Sequence, residues 1–310
     1  MYQILKKKTL SECVKLVEVS APLIARKARA GQFVIVRVAE NGERIPLTIA
    51  DFDAENGTIT LIFQEVGKST IEMGMLEIDD GFMNIAGPLG NPTLVKNYGT
   101  VVMVGGGVGV APIFPITRAL KQAGNEVISI IGARNSSLLF WQKKMAKYSD
   151  QLIICTDDGS AGHKTVVTEP LEDILNARND IARVWGIGPA VMMKYVSAVT
   201  KVFNVPTTVS LNTIMIDGTG MCGGCRVMLQ NGPKFVCVDG PEFEGHHVDW
   251  DNILARLSFY DTEEKEDLVR WDKSRTELAY EKSPGFFKIA EIPSYAKHST
   301  NIPKRVVKNS

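Results

Sequence analysis

Apolar and polar residues alternate with a period of two in "KLVEVSAPL", "GQFVIVRVAE", "RIPLTIADFD" and "GTITLIFQEV", all within residues 15–66. Gly, Asn and Pro separate these stretches, the pattern of short strands joined by turns, so the first ninety or so residues predict an antiparallel barrel. The glycines and prolines of "AGPLGNP" (86–92) read as its linker. From residue 100 the pattern changes to short apolar, β-branched runs: "TVVMVGG", "EVISIIGAR", "QLIICTDD" and "ARVWGIG". Helical periodicity over about 111–123, 138–147, 168–177 and 190–203 lies between and after them. Buried strands alternating with helices predict a doubly wound parallel sheet. Residues 209–245 are rich in Gly and Cys, and 246–310 are polar. The expected division is therefore 1–95, 96–208, 209–245 and a tail, 246–310, that contacts a partner or is disordered.

Composition narrows the function. The 310 residues are 45% hydrophobic and 23% charged, with 35 basic and 35 acidic side chains, so no global field draws the chain to nucleic acid or an anionic membrane. The N-terminus has no continuous apolar run after its lysines, unlike a secretory signal. The apolar run at 101–116 is broken by glycines and prolines and is too short to span a bilayer. A cytoplasmic location is expected. Five cysteines, three of them clustered, suit a metal site in a reducing compartment better than a disulfide framework.

The cluster lies in "IDGTGMCGGCRV" and the residues that follow it. Asp217, Cys222, Cys225 and Cys237 are separated by four, two and eleven residues. The first two gaps match the plant-type iron-sulfur spacing C-x4-C-x2-C, with Asp where the first Cys is expected. Gly218, Gly220, Gly223 and Gly224 permit the tight turns by which a loop points its amides at sulfide. C-x2-C is also half of a zinc site, but a second such pair, or a His pair at zinc spacing, is missing. His246 and His247 read as surface residues, and Cys13 and Cys155, in apolar strands, as inert buried thiols.

"VGGGVGVAPIFPITRAL" (104–120) leaves a strand and opens a helix, where a glycine turn presents backbone amides to a pyrophosphate. Its glycines, Gly105, Gly107 and Gly109, do not follow G-x-G-x-x-G, and Pro112 stands at the helix start. Gly132 with Arg134, and Gly188 with Pro189, also fall at strand ends where open α/β sheets bind ligands. Any one of these can equally be a plain strand-to-helix turn; three together favour a dinucleotide. In the barrel, Arg44 can neutralise a phosphate and Thr48 can bond a flavin ring nitrogen. The helix start at Lys68 to Thr70 can take a pyrophosphate, although an exposed strand Arg and an ordinary N-cap are the plainer readings of each feature.

Barrel, nucleotide domain and cysteine segment, in this order, resemble the ferredoxin reductase-like flavoproteins that carry a C-terminal 2Fe-2S segment. The resemblance covers about residues 1–245. Two families of that branch are the electron-transfer subunit of dihydroorotate dehydrogenase and the small subunit of NADH-dependent reduced ferredoxin:NADP oxidoreductase. The second has Asp at the first ligand position, and "IDGTGMCGGCRV" is similar to it. The resemblance implies FAD on the barrel, at Arg44, Pro46, Leu47, Thr48, Phe63, Gly67, Lys68, Ser69 and Thr70. It implies NAD(H) at Gly105, Gly106, Gly107, Val108, Gly109, Ala111, Pro112, Gly132, Arg134, Asp157, Gly188 and Pro189. A 2Fe-2S cluster is implied at Asp217, Cys222, Cys225 and Cys237.

Three departures stand out. Ile45 and Pro46 replace the aromatic that often follows the flavin Arg, and Ile187 replaces the Cys of the common C-G-P motif. No aromatic C-terminus closes the flavin face, because the chain runs on past the nucleotide domain. The implied function is hydride exchange between NAD(H) and FAD, with single electrons passed through the cluster to a larger flavin and iron-sulfur subunit in a heterodimer. In that family this serves electron bifurcation, in which NADH and reduced ferredoxin together reduce NADP. No catalytic acid or base is expected on this subunit, and the alternative is the dihydroorotate dehydrogenase subunit.

Overall fold

The computed structural model describes residues 1–282. The first part is a seven-stranded antiparallel sheet of β1 (Tyr2–Ser11), β2 (Val14–Ser20), β3 (Phe33–Arg37), β4 (Ile45–Asp53), β5 (Thr58–Gln64), β6 (Gly81–Phe82) and β7 (Asn84–Leu89). Its order is β6-β1-β2-β5-β4-β3-β7. The end strands β6 and β7 are consecutive in sequence, so the sheet curls into a nearly closed barrel. Alternation fills its interior with Ile4, Val17, Val19, Val34, Val36, Ile49, Ile59, Leu61, Phe63 and Phe82. Two helices, α1 (Pro22–Ala25) and α2 (Lys68–Met75), complete it.

One local irregularity prepares a site. β4 pairs with β3 through Ile45 to Thr48, but its pairing with β5 begins only at Ile49. The first half of β4 therefore keeps one open edge, and Pro46, which lacks an N-H, is tolerated there.

The second sheet has the order β11-β10-β9-β8-β12-β13-β16. Its strands are β8 (Thr100–Gly106), β9 (Glu126–Ala133), β10 (Gln151–Thr156), β11 (His163–Lys164), β12 (Ile181–Ile187), β13 (Thr207–Ser210) and β16 (Glu242–Glu244). All pair in parallel except β16, which runs antiparallel to β13. Helices α3 (Val110–Gln122) and α4 (Gln142–Lys147) share one buried cluster, while α5 (Thr168–Ala177) and α6 (Ala190–Val202) share the one on the opposite face. Strand order reverses between β8 and β12, the switch point at which such sheets bind ligands.

Between β13 and β16 lie the cysteine loop, the hairpin of β14 (Arg226–Leu229) and β15 (Gly232–Phe235), and α7 (Val236–Asp239). Cys225, Cys237, Val227 and Val236 share a core with Phe33 and Ile35 of the barrel, Met193 of α6 and Ile253 of α8 (Trp250–Leu257). The last element is α9 (Asp261–Lys282).

Several expectations need correction. β1 is a strand that its three consecutive lysines conceal, since only Ile4 and Ser11 of it are buried. Residues 86–89, expected as linker, belong to β7, and the expected boundary at 208 falls within β13. The tail is not without structure: α8 buries Ile253 in the cysteine core, and α9 lies against α2, where Lys68 meets Asp267 at 3.5 Å. The rest of the expected tail, including its basic stretch from Lys288, lies outside the described residues. Cys13 sits in the turn between β1 and β2 and accepts from Gln64 Nε2 at 3.3 Å. Among the described residues no helix is long and apolar enough to cross a membrane.

Candidate functional site: three binding places around one barrel face

The cysteine loop is wound by left-handed glycines, with φ of 74° at Gly218, 85° at Gly220 and 69° at Gly223. Asp217 spans the turn: Oδ1 accepts from Thr219 N at 2.9 Å and Oδ2 from Cys222 N at 2.8 Å. The amide of Thr219, then that of Cys222, hold its carboxyl below the usual range. The Cys225 thiol donates to Cys237 Sγ at 3.2 Å, and burial, followed by the Cys225 contact, pushes Cys237 up to about 12. Cys222 is exposed, with its sulfur 3.5 Å from Gly224 N.

The donors thus fall into two pairs, Asp217 with Cys222 and Cys225 with Cys237. Among the described residues no three His, Cys, Asp or Glu side chains are gathered closely enough to hold one metal ion. Two pairs of donors, Asp217 and three cysteines that would bind iron as thiolates, with glycine amides between them, fit a two-iron rhomb. His246 is not the free surface residue expected, because its ring meets Thr200 Oγ1 at 2.9 Å. Cys155 is buried in β10, its thiol pushed up to about 11 by desolvation.

At the switch point, Gly105 of β8 lies beside Ile187 of β12. Gly107 has a φ of 55° and no neighbour within 4 Å of the position a Cβ would take, so its open side is free for a ligand. Gly109 differs: a Cβ there would stand 2.2 Å from Ile187 O, so this glycine is needed by the chain itself. Gly106 and Gly188 similarly make room for Met192, and Gly132 for Val167, the plain packing reading. Val108 is half-buried, Ala111 is buried, Pro112 lies in the first turn of α3, and Pro189 caps α6. Arg134 and Asp157 are exposed on adjoining loops, which the bond from Asp157 N to Ala133 O holds together at 3.2 Å.

On the barrel, Arg44 is exposed immediately before the open edge of β4, where Pro46, Leu47 and Thr48 are half-buried. Glu43 accepts a bond from Ser69 Oγ, which joins Arg44 to the N-terminus of α2. Gly67 caps this helix, and Thr70 Oγ1 accepts from Gly67 N at 3.1 Å and Val66 N at 3.0 Å. That occupies the Thr70 hydroxyl and leaves the first-turn amides for a phosphate, while Lys68 is paired with Asp267. Phe63 departs from the expectation: it is 2% exposed inside the barrel, so its ring cannot face a ligand.

The three places adjoin. A Cβ on Gly218 would stand 2.7 Å from Leu89 and 2.9 Å from Ile35, so the cysteine loop lies on β7 and β3. Ile35 is paired with Pro46 across the sheet. The nucleotide domain is clamped to the same barrel by Asp51, which binds Arg118 at 2.7 Å and Lys144 at 2.9 Å. Sequence reasoning missed Glu43, Asp51 and the α9 residues near Lys68, whose partners are distant along the chain. The acidic residue adjoining Arg44 was the only local signal.

Comparisons with known proteins agree with this geometry. Residues 212–249 match the family model described as the iron-sulfur cluster binding domain of dihydroorotate dehydrogenase B. Residues 103–198 match the oxidoreductase NAD-binding domain. The chain is 45% identical over 276 residues, 89% of its length and 97% of the relative's, to a dihydroorotate dehydrogenase B (NAD(+)) electron transfer subunit homolog of Thermotoga maritima. To the dihydroorotate dehydrogenase B (NAD(+)) electron transfer subunit of Desulforamulus reducens it is 33% identical, covering 76% of this chain and 92% of that one. A chain from the structure of NADH-dependent reduced ferredoxin-NADP oxidoreductase superposes with a TM-score of 0.81 at 41% identity, over 91% of this chain and 97% of that one. Phthalate dioxygenase reductase, at 17% identity and a TM-score of 0.54 over 78% of this chain and 94% of that one, shares the fold. Fold, paired donors and these likenesses together show that the chain belongs to the family of dihydroorotate dehydrogenase B electron transfer subunits and their homologues, within the ferredoxin reductase-like flavoproteins.

Proposed function

We propose that this protein is the electron-transfer subunit of an NADH-dependent reduced ferredoxin:NADP oxidoreductase, passing electrons between NAD(H) and a larger flavoprotein subunit. In this reading residues 1–95 hold FAD, 96–208 hold NAD(H) and 209–245 hold a 2Fe-2S cluster. When bound, these groups supply hydride exchange between nicotinamide and flavin and single-electron transfer at iron. The chain's residues bind and orient them. The open edge of β4 receives the flavin ring, Arg44 and the start of α2 its phosphates, and Gly105 to Gly109 the nicotinamide pyrophosphate. The observation that carries the reading is the seating of the Gly218 turn on Ile35, the cross-strand neighbour of Pro46. In this reading the cluster loop lies one strand from the flavin edge.

Ile216, Met221 and Val238, at 55%, 89% and 43% exposure, form an apolar rim beside exposed Cys222. A Cβ on Gly224 would lie within 4 Å of both Cys222 Sγ and Ile216, and one on Gly220 would meet Val238. This rim is the surface on which the larger subunit would dock. The second reading, the dihydroorotate dehydrogenase subunit, is favoured by the matching family model over 212–249. Asp217 in the first ligand position and the 41% identical oxidoreductase structure favour the first reading.

Anaerobic purification with the co-expressed partner tests the proposal. The expected result is a flavin and iron-sulfur spectrum bleached by NADH, and NADP reduction that requires both NADH and reduced ferredoxin. Dihydroorotate-dependent NAD reduction by the complex would select the second reading, and a colourless protein would sink both.

A further inference from the structure

Glu242 lies five residues after Cys237, where the chain leaves the cysteine segment and joins the edge of the nucleotide sheet as β16. Its Oε1 accepts from Thr93 Oγ1 at 2.7 Å. Thr93 is buried in the link between barrel and nucleotide sheet, and its N-H donates to Ala30 O of the barrel at 2.9 Å. Gly31 makes the approach possible. A Cβ there would stand 2.3 Å from Thr93 Oγ1 and 3.3 Å from Glu242 Oε1, and its φ of 87° is one that a side chain resists. Arg183 of β12, in the nucleotide sheet, acts on the Glu242 carboxyl through its charge. One side chain therefore meets barrel, link and nucleotide sheet at the point where the cysteine segment is anchored.

The neighbouring ties involve backbone carbonyls: Asn91 N donates to Gly240 O at 2.7 Å, Asn91 Nδ2 to Val238 O at 3.1 Å, and Leu211 N to Pro241 O at 2.9 Å. These hold the exit strand to the link and to the end of β13. Glu242 adds the side-chain tie through Thr93 to Ala30 and Gly31, immediately before β3, the strand on which Gly218 rests. Loss of this tie would loosen the exit strand relative to β3, while the clamp of Asp51 with Arg118 and Lys144 lies on other residues.

We propose that Glu242 is a positioning residue that fixes the cysteine segment on the barrel and thereby sets the rate of electron passage between flavin and cluster. It touches no cofactor, and the role rests on the placement of FAD and 2Fe-2S given above. The experiment is rapid-mixing spectroscopy of the intact complex with NADH, following flavin and iron-sulfur absorbance separately. Glu242→Ala removes the acceptor, Thr93→Val removes the donor with little change of shape, and Glu242→Gln keeps an acceptor oxygen. Flavin reduction is expected at the wild-type rate in all three. Cluster reduction should slow severalfold in the Ala and Val variants, because electron transfer weakens exponentially as the flavin-to-cluster distance grows. Glu242→Gln should restore it, with unchanged EPR of the reduced cluster throughout.

Wild-type cluster reduction in both Thr93→Val and Glu242→Ala would overturn the proposal. Glu242→Gln as slow as Glu242→Ala would overturn it too, by making charge rather than position the cause. If Glu242→Ala fails to fold, the Thr93→Val variant alone decides. Absence of flavin or cluster from the wild-type complex would instead refute the function proposed above.

Discussion

Raising the pH from 5 to 8 should destabilise the protein through Glu242, and the size of the effect can be worked from its surroundings. Desolvation pushes this carboxyl from 4.5 to about 7, against smaller opposing effects of Thr93 and Arg183. Below pH 4.5 the side chain is neutral in both folded and unfolded chains, and its contribution is fully present. As pH rises towards 7 the unfolded chain releases the proton first, so stability is lost across this window. A shift of that size corresponds to at most ~3.5 kcal/mol at ~1.4 kcal/mol per pH unit. At ~2 to 4 °C per kcal/mol, the melting temperature should fall by up to roughly 7 to 14 °C.

Two further groups with shifted pKa, His246 and Glu264, also contribute to the pH dependence, and other charged groups lie close to Glu242. Tyr98 and Arg183 face the site, and Glu244 binds Arg183 at 3.5 Å. His246, lowered by burial, gains stability as pH rises, the opposite sign, whereas Glu264 is raised by burial. All of these are common to the wild type and Glu242→Gln, so the difference between their melting curves from pH 5 to 8 isolates Glu242. Wild-type minus variant should fall with pH, and a flat difference would refute the reasoning from a desolvated carboxyl.

Three other outcomes follow from the loops and the tail. Gly109→Ala must push the turn off Ile187 and should weaken NADH binding with a loss of thermal stability of about 2 kcal/mol, in the range of core overpacking. Gly107→Ala meets no atom of the chain and should cost only ~1 kcal/mol for its left-handed backbone, so calorimetry and NADH titration of the pair separate chain packing from ligand clearance. Truncation after Gly245 removes Ile253 and the Arg256 Nη2 bond to Gly224 O at 2.9 Å, and should lower iron content. Truncation after Ser258 should preserve it, and equal iron in both would show that α8 does not support the loop. Asp217→Cys should keep a cluster with altered EPR and redox potential, whereas Asp217→Ala, which also loses both loop bonds, should lose iron. Identical spectra in all three proteins would make Asp217 only a turn residue.

How legible each part was depends on the distance over which its cause acts. The cysteine loop is local: the positive φ of Gly218, Gly220 and Gly223 and the bonds of Asp217 arise within six residues, so spacing alone pointed to it. The inward residues of β2 to β5 and the glycine turn after β8 were readable for the same reason, because alternation and turn chemistry are nearest-neighbour effects. β1 escaped because three consecutive lysines interrupt its alternation, and the strand is held by pairing with β2 and β6. Phe63 was assigned to the flavin although its alternation placed it inside. Helix α8 does carry an apolar face of Trp250, Ile253, Leu254 and Leu257 that its polar setting conceals, whereas among the described side chains of α9 only one apolar residue, Leu268, is buried.

The contacts that set geometry between the parts were the least readable. Glu242 and Thr93 are 149 residues apart, and Arg118 and Asp51 are 67 apart. A Thr in a link and a Glu in a polar stretch carry no sign of one another. The binding chemistry in this fold is therefore written in short motifs, while the distances between bound groups are set by isolated polar side chains at the junctions. Gly31 shows the coupling between these levels: its missing side chain has no bearing on any ligand, yet it admits the pair that anchors the cysteine segment.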